Sequence, residues 1–95
     1  MKKLPVNVSA YKRTQEFTQD TVPKGLLAAH QTKKGTWGVI MVLEGELEYR
    51  ILEPELQTVC LNENLPGVVE PTILHEVEPR GEVRFYVEFY REVPA

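Results

Sequence analysis

Apolar residues in this chain recur at every second position or in short continuous runs, punctuated by glycines and prolines. No stretch of ten or more residues carries the three-four spacing of an amphipathic helix. In "ELEYRIL", Leu47, Tyr49 and Ile51 point one way and Glu46, Glu48 and Arg50 the other. In "VRFYVEFY", Phe85, Val87 and Phe89 share one face, and Arg84, Tyr86, Glu88 and Tyr90 share the opposite one. Such alternation marks strands that lay one face on a core. The pattern predicts strands at "VNVSAYKR", "LLAAHQ", "WGVIMVL", "ELEYRIL", "QTVCLNE", "GVVEP", "HEVEP" and "VRFYVEFY", with a polar connection "TQEFTQDTVPKG" after the first. Gly35, Gly45 and Gly81 stand where a tight hairpin turn would need positive φ, so neighbouring strands are expected to run antiparallel. Many short strands in one small domain bury their apolar faces and lose their edges by closing into a sandwich or barrel.

A chain of 95 residues has room for one domain and one core. Eleven basic and 14 acidic residues leave a net charge of −3, and the basic residues are scattered, which argues against a nucleic-acid partner. The longest purely apolar run, "VIMVL" from Val39 to Leu43, is far short of a membrane span, and Met1 to Lys3 lead into Pro5 instead of a signal-peptide core. A cytoplasmic protein without a membrane partner is expected. "VIMVL" also reads as a strand covered on both faces. One cover is the core; the other is a neighbouring loop or a second subunit, and with Tyr86 and Tyr90 making the last strand's outer face half apolar, a homodimer is expected.

The single cysteine, Cys60 in "QTVCLNE", excludes an internal disulfide and any multi-cysteine zinc site. It is expected as a buried or half-buried packing thiol, with no local base to make it a nucleophile. Glu44, Glu46 and Glu48 are expected on a solvated hairpin face. The chain lacks a G-x-S-x-G elbow, a P-loop, a dinucleotide fingerprint and H-E-x-x-H.

Chemistry therefore centres on the two histidines, His30 in "AAHQTKKGTWG" and His75 in "EPTILHEVEP". Both fall at predicted strand ends beside turns, His30 in a hairpin with the strand beyond "KKG". If the fold brings them to one rim, the two imidazoles and a carboxylate would suit Zn²⁺, Mn²⁺ or Fe²⁺. Glu70 is the better carboxylate, because alternation sends Glu76 to the face opposite His75. If they stay apart, each is a polar strand-end residue. Trp37 reads either as an aromatic plug at a barrel end or as one wall of a ligand pocket.

These residues resemble a known family, the TehB/YeaR-like domain, a small cupin that also occurs fused ahead of the methyltransferase in some tellurite-resistance proteins. The resemblance is carried by "AHQTKKGTWGVIMVLEGELEYRIL", by "VEPTILHEVEP" and by the "FYVEFY" ending, and covers residues 4–94 as a single domain. It implies a cupin-type double-stranded β-helix, or jelly-roll barrel. Carried over residue by residue, His30 takes the first histidine position of the metal-binding cupins, Thr32 the second, Gly38 approximately the glutamate, and His75 the last histidine. Two of the four ligand types are retained. The resemblance thus implies a domain that binds a metal ion or small ligand at the barrel mouth, with Thr32 and Trp37 as ligand-binding candidates and a link to tellurite or oxidant stress. A metal-dependent enzyme of oxygenase or isomerase type, or an interaction module for a separate methyltransferase, are the alternatives.

Overall fold

The computed structural model describes residues 1–94. In chain order its elements are β1 (Val8–Arg13), β2 (Phe17–Thr18), α1 (Lys24–Leu27), β3 (Thr36–Ile51), β4 (Gln57–Leu61), β5 (Gly67–Val69) and β6 (His75–Glu92). The expected all-β architecture is present. Two long strands dominate it: "WGVIMVL" and "ELEYRIL" are two halves of β3, and "HEVEP" and "VRFYVEFY" are two halves of β6. They pair antiparallel along their whole length, from Thr36 opposite Arg91 to Ile51 opposite His75.

Gly45 and Gly81 are therefore not hairpin turns, contrary to expectation. They have φ of 79° and 81° inside continuous strands whose register slips between Val42 and Glu44 and again between Gly45 and Leu47. A glycine-type β-bulge uses positive φ just as a tight turn does but lets the strand continue with a bend, and the apolar alternation on either side is the same in both cases. A Cβ at Gly45 would stand 2.0 Å from the Glu82 carbonyl oxygen, so the close backbone approach at this corner requires glycine. Gly35, with φ 83°, does lie in a turn, the one that opens β3.

The bend divides the sheet into two halves that fold over one core. In the first, the front of β3 pairs with β5 on one side and with the back of β6 on the other, and β6 in turn carries β1 and β2; in the second, the back of β3 lies between β4 and the front of β6. Leu47, Tyr49, Leu61, Val83 and Phe85 fill the centre and are essentially unexposed. On the outer face of the second half, Arg50 binds Glu48, Glu76 and Glu78, and Arg80 binds Glu48. Glu48 is thus drawn into an ion-pair network, while Glu44 and Glu46 stay exposed.

Two further expectations are corrected. "LLAAHQ" is not a strand: Lys24–Leu27 make a single helical turn after Pro23, whose φ of −61° suits a helix start. Leu26 packs against the core, whereas Leu27, Ala28 and Ala29 are exposed, and a short apolar run of this kind does not distinguish strand from helix by periodicity. Cys60 is exposed, not buried. It lies on the outward side of β4, an edge strand with no layer beyond it. Its hydrogen bond to the Glu46 carboxylate, 3.4 Å away, pushes the thiol pKa up, which keeps it protonated and poorly nucleophilic. No helix among the described residues is long and apolar enough to cross a membrane.

Candidate functional site

The interior is not filled evenly. One end of it holds a cavity of about 210 Å³ whose walls include Phe17, Leu26, Ile40, Val77, Phe85 and Phe89 and whose polar lining is His30, His75, Thr14 and Thr32. Among the described residues, no Lys, Arg, Asp or Glu side chain lines it.

His75 reaches the cavity because it opens β6 in the inward phase shared with Val77, and only 4% of its surface is exposed. His30 is placed by His75 itself. The two residues form an isolated antiparallel bridge in which each backbone N–H donates to the other's carbonyl, at 2.9 and 2.8 Å. Residues directly opposite in such a pair project side by side, and the ring centroids stand 5.3 Å apart at 72°. The partner of His30 is thus β6, not the strand beyond "KKG". Tyr49 meets the His75 ring edge-on at 5.9 Å, and its hydroxyl donates to the Val68 carbonyl at 2.8 Å. Burial raises the phenol pKa above its ordinary value, so it remains a donor.

The loop before β6 is tied to the same place. Thr72 N–H donates to the Thr32 carbonyl at 3.0 Å, and Thr32 Oγ1 donates to the Thr36 carbonyl at 2.7 Å. Thr72 has φ 66°, an uncommon conformation for a β-branched residue. His75 Nδ1 lies 3.1 Å from the Ile73 carbonyl oxygen. Because a carbonyl can only accept, Nδ1 carries the hydrogen, and Nε2 of the neutral ring keeps its lone pair. Burial pushes the His75 pKa below its ordinary value, against the Ile73 hydrogen bond and with a smaller push from His30.

Of the residues singled out in the sequence, His30, His75, Thr32 and Gly38 line this cavity. Glu70 and Trp37 do not. The Glu70 carboxylate faces Lys2 at 3.9 Å. Trp37 alternates to the outer side of β3 beside Tyr90, and its Nε1 is buried without an acceptor among the described residues. Among the described residues, no group of three or more His, Cys, Asp or Glu side chains could hold a metal ion, so the donor set falls short of the cupin metal site that the resemblance implied. Sequence reasoning missed Thr14 and Phe17, which sit in the segment read as a polar connection. Thr14 docks there through its N–H to the Val87 carbonyl at 2.8 Å and its Oγ1 to the Val87 N–H at 3.0 Å. The only local signal was Phe17, an isolated aromatic in a polar run.

The TehB-like domain family matches over residues 12–87. The chain belongs to the TehB-like domain family. A relative named "Probable S-adenosyl-L-methionine-dependent methyltransferase TehB", from Haemophilus influenzae, is 33% identical over a region covering 72% of this chain and 25% of its own. This TehB-like domain thus spans about a quarter of that relative's length. The crystal structure of Haemophilus influenzae TehB superposes with a TM-score of 0.84 at 27% identity, over 92% of this chain and 32% of that one. A structure from E. coli K12 matches with a TM-score of 0.88 at 20% identity, covering 99% of this chain and all 100% of that one. A cupin-2 domain protein from Shewanella frigidimarina matches at a TM-score of 0.54 and 14% identity, over 96% of this chain and 76% of that one. The last two establish fold alone, and the fold of this TehB-like domain is cupin-like.

Proposed function

We propose that this TehB-like domain binds a small organic molecule in the hollow end of its barrel, held against His30 and His75. The observation that carries the reading is the cavity of about 210 Å³ with apolar walls and two adjoining imidazoles. Ligand pockets combine such walls with a few polar groups that orient the ligand. Its volume exceeds the roughly 150 Å³ of an engineered apolar cavity known to bind benzene, so a substituted ring fits. A part in the response to tellurite or related oxidants is the setting suggested by the family resemblance, and methyl transfer is not carried over from the much longer relative.

The test is protein-observed NMR titration with a panel of neutral aromatic fragments. Binding is expected, with shifts at the His30 and His75 ring protons, and it should be lost in Gly38→Val, which fills the cavity. A panel with no binder would sink the reading. Titration with Zn²⁺, Mn²⁺ and Fe²⁺ separates it from metal binding: the two imidazoles alone should hold these ions no more tightly than about 1 mM, roughly −4 kcal/mol. Micromolar affinity, lost in both His30→Ala and His75→Ala, would replace it with the metal-dependent alternatives, enzyme included.

A homodimer is proposed through the outer face of the first sheet half, where Trp37, Met41, Tyr86 and Tyr90 are half-buried and Trp37 Nε1 has no acceptor. Arg13 stacks over Tyr86 at 4.6 Å and covers part of that face from within the chain. Light scattering that returned a mass near 10.9 kDa at high micromolar concentration would rule the dimer out. Co-purification with a separate methyltransferase would favour the interaction-module alternative.

A further inference from the structure

The polar groups of the cavity differ in what they have left to offer. Thr14 Oγ1 donates to the Gln15 carbonyl at 2.8 Å and accepts from the Val87 N–H at 3.0 Å. The hydroxyl hydrogen of Thr32 is committed to the Thr36 carbonyl, and the Nδ1 hydrogen of His75 to the Ile73 carbonyl. A hydroxyl has one hydrogen and a neutral imidazole has one N–H. Each of these three groups has therefore spent its donor on the backbone and can only accept from a ligand. His30 is the exception: its ring makes no hydrogen bond among the described residues, and it stands half-buried beside His75.

Among the described residues, no lysine, arginine, aspartate or glutamate lines the cavity. A carboxylate or inorganic oxyanion entering it would meet three acceptors and no fixed cation, and an ammonium would meet no carboxylate. Either charge would be desolvated with no opposite charge in the lining to pair with. The lining thus selects a neutral molecule with a hydrogen to give. Three phenylalanines, Phe17, Phe85 and Phe89, supply flat apolar wall, which favours a ring over a flexible chain.

We infer that the cavity takes a neutral phenol-class ligand, its hydroxyl donating to Nε2 of His75 and its ring lying among Phe17, Phe85 and Phe89. The inference rests on the small-molecule reading above and narrows it to one chemical class. The hydroxyl oxygen can in turn accept from a ring N–H of His30. The arrangement binds and orients; it forms and breaks no covalent bond.

The experiment measures binding of phenol, toluene and benzoate to the full chain by NMR titration at neutral pH. Phenol and toluene have nearly the same shape, but toluene is the more hydrophobic, so an apolar cavity without a matched acceptor prefers toluene. Phenol is expected to bind tighter than toluene by roughly tenfold or more, the effect of one satisfied buried hydrogen bond, and benzoate not to bind measurably. In His75→Leu, phenol should fall to or below the level of toluene while toluene is not weakened. If that variant does not fold, the phenol-to-toluene ratio in the unmodified chain decides the matter alone. Toluene binding as tightly as phenol, or benzoate binding tightest, overturns the phenol class and leaves the small-molecule cavity standing. Failure of all three to bind overturns both.

Discussion

Two buried glycines on paired strands meet opposite fates. Gly67 lies opposite Ile40, and Gly38 opposite Val69. At Gly67, an added Cβ would stand 2.7 Å from Leu61 Cδ1 and 3.2 Å from Tyr49 Cδ2, because those two large side chains already occupy the space. At Gly38 the nearest neighbours of an added Cβ would be the smaller Val69 at 3.3 Å and Val87 at 3.6 Å. No large side chain has moved in there, and the room belongs to the cavity. The missing side chain yields packing at one end and a binding space at the other. What decides is whether a neighbour of sufficient length points at the gap. Leu61 and Tyr49 do so at the closed end, whereas at the open end His30 and His75 are held aside by their backbone bridge.

The comparison breaks first where packing is densest. Leu61→Ala should cost about 3 kcal/mol, within the usual range for a buried leucine, read as a shift in urea midpoint at unchanged slope. A cost under about 1 kcal/mol would mean the closed end is as loosely filled as the open one. Gly67→Ala is expected to cost about 2 kcal/mol through overpacking, against less than about 1 kcal/mol for Gly38→Ala, whose methyl needs only a small yielding of Val69. Equal costs at the two glycines would erase the distinction. Thr72→Asn should stabilise the fold by about 0.5 kcal/mol in the same assay, since asparagine tolerates the left-handed conformation better than a β-branched residue. A loss of stability would show that the Thr72 side chain contributes more than its backbone strain costs.

The smallest effect expected is one of pH. The folded His75 binds a proton less readily than the unfolded residue, whose pKa is about 6.5. The unfolded state therefore gains protons first as pH falls. The contribution of His75 is fully present above about pH 6.5 and is lost on acidification towards its lowered folded value. Thermal melts between pH 7.5 and 5 should show this decline, and it should be absent in His75→Phe. A decline that persists unchanged in that variant would assign it to other groups.

Much of the apolar core was legible in the sequence. Leu47, Tyr49, Ile51, Phe85 and Val87 were identified as inward from alternation, and all are buried. The open end was less so. His30, His75, Thr32 and Gly38 stood out, but Glu70 and Trp37 were drawn to the same site and lie outside the cavity lining, while Thr14 and Phe17 went unnoticed. The reason is that a carboxylate or a tryptophan advertises chemistry by its type, whereas membership of a cavity depends on which distant strand a residue docks against. Thr14 enters only through its two bonds to Val87.

By itself, then, the sequence determined what is local: strands, their inward faces, antiparallel neighbours, and glycines where positive φ is needed. Side-chain alternation follows from the two-residue repeat of a strand and survives in any register that keeps its phase. Only the tertiary structure decided whether Gly45 and Gly81 turn the chain or bend it, whether Cys60 is covered, and whether the two histidines meet. Each of those depends on a backbone pairing between segments far apart in the chain. His30 and His75 became neighbours because their own N–H and C=O groups found each other across the mouth of the barrel, a pairing that nothing in either residue's local pattern encodes.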